Sequence, residues 1–332
     1  MFSKDIRGFA GNMTALRDFV DLIDPILRKR TRDALQEHGS VLRPLVYVMH
    51  KAFPDELPQI HLTDEEKAQI EKSIKYEIKK GPDDKHQGIV LHFERSGMSD
   101  PSGVKDALNE ITRNETRSRL LFGNSLISLI SAVEWYFSRM LHAYFRKYPQ
   151  IAISEDKVFS YEDLTPFTSV DDARQYLIEK KVEDVLRGSF SDWIKYFRGS
   201  PKLSMSYLDC CIDDLVETCE RRNLLVHNNG VVNNIYVSKV SEKHGKAVKQ
   251  GEHLSVTREY LDQRINLFER CCILICAELW KQLDPSAEAR GTILTDIAFE
   301  HMMRGRWCIP EGLSFFVMND KKLPERDLMW GR

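Results

Sequence analysis

No stretch of these 332 residues stays apolar for the about 18 uninterrupted positions that a bilayer crossing needs, and the N-terminus has no signal-peptide h-region. The nearest approach is Leu120 to Phe145. Asn124, Glu134, Arg139 and several serines interrupt it, so a buried core helix is expected there. A cytoplasmic protein with no membrane partner follows as the expectation. Net charge is also scarce: 48 Lys and Arg against 50 Asp and Glu leave −2, which gives no global basic signature. Any nucleic-acid contact must then come from a local patch. The seven cysteines include the adjacent pairs Cys210-Cys211 and Cys271-Cys272, but no CxxC and no Cys/His ligand spacing. Free thiols in a reducing compartment are expected, with neither metal nor cofactor.

Other absences narrow the chemistry. There is no glycine-rich phosphate loop and no alternation of strands with helices, which argues against a nucleotide-binding Rossmann module. A Ser-His-Asp elbow and paired carboxylates at glycosidase-like spacing are missing as well.

What is present is helical periodicity. Residues 1–114 read as a mostly helical region of unreadable role. Leu16, Phe19, Val20, Ile23, Ile26 and Leu27 mark a helix from Thr14 to Gln36, with Pro25 predicting a kink or break. Val41 to Met49 is a short apolar run, and Pro54 and Pro58 punctuate a loop. Thr63-Asp64-Glu65-Glu66 is a capping box that should open a helix to Lys80, stopped by Gly81-Pro82, and 88–94 alternates like a lone strand. The segment 115–147 is apolar nearly all round and belongs at the centre of a bundle. An amphipathic helix is expected from Asp171 to Arg187, and a short one from Asp192 to Phe197 capped by Ser191. The aromatics Trp193, Tyr196 and Phe197 fit core packing better than base stacking. Val231 to Val240 reads as extended. Lys243, His244, Lys246 and Lys249 lie in a charged loop, read as solvated in preference to phosphate-binding. Thr257 opens a closing helix to Leu283, and 285–332 forms a short helical tail with helices at Ala287–Arg304 and Pro310–Val317. The fold class is therefore all-α, a helical bundle with helical extensions at both ends.

One helix stands apart. It begins near Tyr207 and ends at Asn228-Asn229-Gly230. At 100° per residue, Leu208, Ile212, Leu215, Cys219 and Val226 share a narrow face that Arg222 and Asn223 continue. His227 lies one turn beyond Asn223, about 40° around, so the two side chains can address one point. Buried polar groups are costly unless paired, so a guanidinium, a carboxamide and an imidazole on a face expected to be buried need a reason. The plain reason is a basic helix C-terminus followed by Asn-Gly stop chemistry. Spacing alone does not discriminate, since Arg32 with His38 and Arg43 with His50 match it too.

The run Arg222-Asn223-Leu224-Leu225-Val226-His227 resembles the signature of HEPN-domain ribonucleases: Arg, four to six residues, His, with a polar residue after the Arg. The apolar helix Leu120 to Phe145, the segment Gly188 to Trp193 and Asn228 to Asn233 resemble HEPN surroundings, so the similarity covers about 115–284. The resemblance implies a HEPN-like helical domain and an endoribonuclease with RNA as substrate. Arg222, Asn223 and His227 would be catalytic, and Glu134 on the long apolar helix would support Arg222. Read from its residue alone, Glu134 is instead a carboxylate on that helix's least buried edge.

RNA carries its own nucleophile, the 2′-hydroxyl, so such an enzyme needs only to move protons and stabilise charge. An imidazole, with an ordinary pKa of about 6.5, can do the first, and a guanidinium can hold a phosphate by two hydrogen bonds. One chain offers one such histidine, and the resemblance implies a symmetric homodimer with a composite site. It also implies a defence or toxin role with an antitoxin or regulatory partner. Asn229 stands where some toxins of that family carry a modifiable tyrosine. The alternative function is a non-catalytic helical adaptor that binds a partner protein or nucleotide.

Overall fold

The computed structural model describes residues 1–37, 39–52, 62–80, 87–93, 101–152 and 167–323. It is all-α except for one hairpin, the only sheet among the described residues. Two compact units are present: Met1–Val20 with Phe122–Arg332, and Asp21–Leu121.

Helix α1 (Phe2–Glu37), which belongs to the smaller unit from Asp21 on, continues unbroken through Pro25, where a kink or break was expected. α2 (Gly39–Ala52) likewise contains Pro44. α3 (Asp64–Ser73) opens with the expected capping box, Thr63 and Glu66 each bonding the other's backbone N–H. It stops at Ser73, earlier than Lys80, because Ile74–Lys80 becomes strand β1, paired antiparallel with β2 (Gln87–Phe93). The alternating run at 88–94 therefore has a partner, supplied by residues with the period of a strand. Val48, Ile70 and Ile74 form the small core beneath it. The turn at Gly81-Pro82 and the loop with Pro54 and Pro58 lie outside the described residues.

The larger unit is built around the C-terminal part of α4 (Pro101–Lys147). Its stretch from Thr112 has the length and composition of a membrane-crossing helix. Here Leu126, Leu129, Ile130, Val133, Phe137, Met140 and Leu141 are all buried in protein. After α5 (Pro149–Ala152) come α6 (Val170–Leu186), capped by Ser169, and α7 (Phe190–Gly199). The cap of α7 is Ser189, not Ser191. Its hydroxyl accepts from the Asp192 N–H while Asp192 bonds back, a reciprocal box that Ser191 cannot form with a residue three further on, Ile194. Phe137 meets Phe190, Trp193 and Phe197 at ring distances of 5.8, 5.4 and 5.5 Å, so these aromatics are core, as expected.

A 3₁₀ turn (Ser206–Leu208) leads to α8 (Ile212–Asn228), followed by α9 (Asn234–Lys239), α10 (Glu242–Lys246) and α11 (Arg258–Leu283). Thr257 caps α11, whose stripe Leu261, Ile265, Phe268, Cys272, Ile275 and Leu279 is buried throughout. The segment 231–240, expected to be extended, is mostly helix. Asn233 accepts from the Tyr236 N–H, and that cap overrides the β-branched residues. Val231 keeps a single bridge to His253.

The tail folds as α12 (Ala289–Met303) and α13 (Cys308–Asn319), with buried Arg290 bonded to buried Asp320. Residues 1–20, expected within an N-terminal region, belong to this unit. Phe9 stacks on Tyr136 at 4.3 Å, and Arg17 pairs with Glu269 at 2.6 Å. Glu269 also receives His301 of α12 at 3.0 Å, so a buried carboxylate joins α1, α11 and α12.

Candidate functional site

α8 does not bury the face that its apolar residues mark. Leu215 is fully buried near its start, but beyond it Glu217, Glu220 and Leu224 are buried while Val226 is 48% exposed. Spacings of three and four put those three residues on the side opposite Cys219 and Val226. Two things draw that side inward. Leu224 packs with Val232, Tyr236, Val240 and Leu254, which fold over it after the helix ends. Glu217 is fully paired: Arg221 Nε donates at 2.7 Å, and the Tyr236 and Tyr260 hydroxyls donate at 2.9 and 2.6 Å. The Arg221 guanidinium also lies 4.1 Å from the centre of the Tyr260 ring and donates to the Ser255 carbonyl. Burial first, then the Glu217 carboxylate, pushes both phenols well above their ordinary range, so they remain donors.

The line Arg222, Asn223 and His227 thus lies on the more open side of α8, and the expected burial is partial for the first two and absent for His227. Arg222 and Asn223 are half-buried in the wall of a cleft of about 290 Å³ between α4, α7, α8 and α9. Its lining includes Glu134, Arg187, Ser189, Trp193, Cys219 and Lys239. Glu134 accepts from Arg222 Nη2, with 40% of its side chain exposed against 21% for the arginine. Glu134 thus pairs with Arg222 from a partly open edge, and the pairing is not the buried one that was expected. Arg222 Nε is buried without a partner, so Glu134 engages only part of the guanidinium. Asn223 donates to Glu220 at 3.3 Å, and Lys239 lies 3.5 Å from the same carboxylate. His227 is exposed, one turn on, and is not among the residues lining the cleft. Burial pushes the Cys219 thiol up, leaving it protonated in the cleft wall.

The helix ends as Asn-Gly predicts. Asn229 adopts the left-handed conformation (φ 49°), and Gly230 follows at φ 79°. A Cβ at Gly230 would stand 3.1 Å from the Leu254 carbonyl and 3.2 Å from the His253 ring, so this glycine lets the following chain close over Leu224. Of the basic residues expected in a solvated loop, His244 and Lys246 lie instead in α10, where His244 is tied to Asp214 at 3.0 Å and Lys246 to Glu242.

Sequence reasoning did not find Glu217, Arg221, Tyr236 and Tyr260. The available signal was the Glu217–Arg221 spacing of four on one helix. Among the described residues no group of three or more His, Cys, Asp or Glu side chains is gathered to hold a metal ion. Comparisons with known families, with curated proteins and with solved structures find no match to this chain.

Proposed function

We propose that the chain is an endoribonuclease of the HEPN type, needing no metal, that cleaves RNA by attack of its 2′-hydroxyl, with Arg222, Asn223 and His227 as its working residues. The observation that carries the reading is the placement of all three on the open face of α8, with the Arg222 guanidinium held from behind by Glu134. In this reading His227 takes the 2′-hydroxyl proton, the 2′-oxygen attacks phosphorus, and the 5′-oxygen leaves, giving a 2′,3′-cyclic phosphate. The free part of the Arg222 fork donates to the phosphate oxygens as charge builds. Glu134 fixes the plane of that fork, and Asn223, itself oriented by Glu220, steadies the scissile group.

The leaving oxygen needs a proton, and a second copy of the chain across a two-fold axis supplies the second histidine. An exposed His227 is compatible with that arrangement, since neither a partner nor an RNA strand has to open the bundle to reach it. A cytoplasmic place and a defence or toxin role, with a regulatory partner, belong to the same proposal. The test is cleavage of mixed RNA by the purified protein and by His227→Ala and Arg222→Ala. Both variants should be inactive while melting like the parent, and activity retained by either removes that residue from the site.

A further inference from the structure

Seven cysteines were expected to be plain free thiols, yet two of them, distant in sequence, meet. Cys211 is the last residue before α8, and Cys271 lies in α11; both are buried, with their sulfurs 3.8 Å apart. Cys210, next in the chain, is exposed and lines a cavity of about 490 Å³ between the 3₁₀ turn, α11 and α13. Arg270 lines the same cavity. Gly312 of α13 is packed against its side chain so closely that a Cβ there would stand 3.0 Å from Arg270 Cδ. The Arg270 charge, which acts on both thiols, and the N-terminal end of the 17-residue helix that Cys211 precedes both favour a thiolate.

We propose that Cys211 and Cys271 form a reversible disulfide when the protein meets hydrogen peroxide, tying the start of α8 to α11. Cys211 is the attacking sulfur. The hydrogen bond from Cys271, aided by Arg270, pulls it down to about 6, while the same bond and burial push Cys271 up. The Cys211 thiolate attacks one peroxide oxygen, and the O–O bond breaks. The released hydroxide takes a proton to become water, leaving Cys211 as a sulfenic acid. The Cys271 sulfur then attacks the Cys211 sulfur, and its proton leaves with the hydroxyl as a second water. Two thiols and one peroxide thus give one disulfide and two waters. The sulfurs must close from 3.8 Å to about 2.05 Å, which side-chain rotation and the turn before α8 can supply. The cavity beside Cys210 brings the oxidant to the edge of the pair. The bond would enclose α8, α9 and α10 in one covalent loop, constraining the helix that carries Arg222, Asn223 and His227.

The test treats the purified full chain with graded hydrogen peroxide, alkylates the remaining thiols, and maps peptides without reduction. A Cys211–Cys271 peptide pair is expected, reverting with dithiothreitol, together with a higher melting temperature in the oxidised protein. In Cys271→Ser the sulfenic acid at Cys211 should be trapped by dimedone. In Cys211→Ser, Cys271 should stay reduced at the same peroxide dose. Wild-type protein in which Cys271 remains reduced, or in which Cys210 pairs with Cys211 instead, overturns the proposal without recourse to any variant.

Discussion

Arg222 of α8 donates to Glu134 of α4 across 88 positions of sequence, an ion pair that joins the motif helix to the long central helix at the cleft. Its two members are unequally covered, and this decides what it can contribute. A pair this open is worth about 0–1 kcal/mol in stability, so its value lies in orientation.

Glu134→Gln is therefore expected to change unfolding free energy by less than about 1 kcal/mol in urea titration. The same change should lower RNA cleavage about 10- to 100-fold, since the guanidinium loses its fixed plane. Full activity in the variant would take Glu134 out of the site.

The Glu217 network should behave in the opposite way. Glu217 is fully buried beneath three donors, and Glu217→Gln leaves the Arg221 charge uncompensated, at a cost of about 3–5 kcal/mol. Its pH signature follows from the two phenols. Their folded pKa values lie above the ordinary value of 10.0, so the folded state holds protons that the unfolded chain releases. The stability they contribute is complete below about pH 10 and declines as pH rises further. Tyr236→Phe and Tyr260→Phe should flatten that decline in denaturation curves measured from pH 8 to 11.

Arg17 makes residues 1–20 indispensable to the larger unit. It is 4% exposed against a fully buried Glu269. Arg17→Met should lower stability by about 3–5 kcal/mol, read from the denaturation midpoint, because Glu269 is left with His301 and the Asn266 Oδ1 loses its donor. A chain beginning after residue 20 should fail to give a cooperative melt.

How much of this was legible varies with the kind of signal. Long helices with a steady apolar stripe, such as 115–147 and 257–283, were readable because apolar residues set most of their burial, whereas the buried Glu269 of the second gave no such signal. The face of α8 was not, because its buried side carries Glu217 and Glu220, and a carboxylate reads as exposed until its donors are known. Those donors, Tyr236, Tyr260 and Lys239, come from later elements. The residues Arg222, Asn223 and His227 were singled out from local pattern, and the structure puts two of them in a cleft and the third in solvent. The helix expected to run on over Ile74 to Lys80 does not form there, because a capping box marks only a start. The strand partner at 87–93 decides where that helix stops.

A homodimer is expected in solution. Sedimentation velocity of the wild type at micromolar concentration should give a dimer. A monomer at every concentration tested would contradict the two-fold composite site while leaving the cleft geometry unchanged.

The central claim concerns the chemistry at His227, and the ends of the cut RNA report it most directly. Wild-type protein incubated with mixed RNA in excess EDTA should release fragments bearing 2′,3′-cyclic phosphate and 5′-hydroxyl ends, and His227→Ala should release none. Cleavage that stops in EDTA, or equal cleavage by the variant, would contradict it.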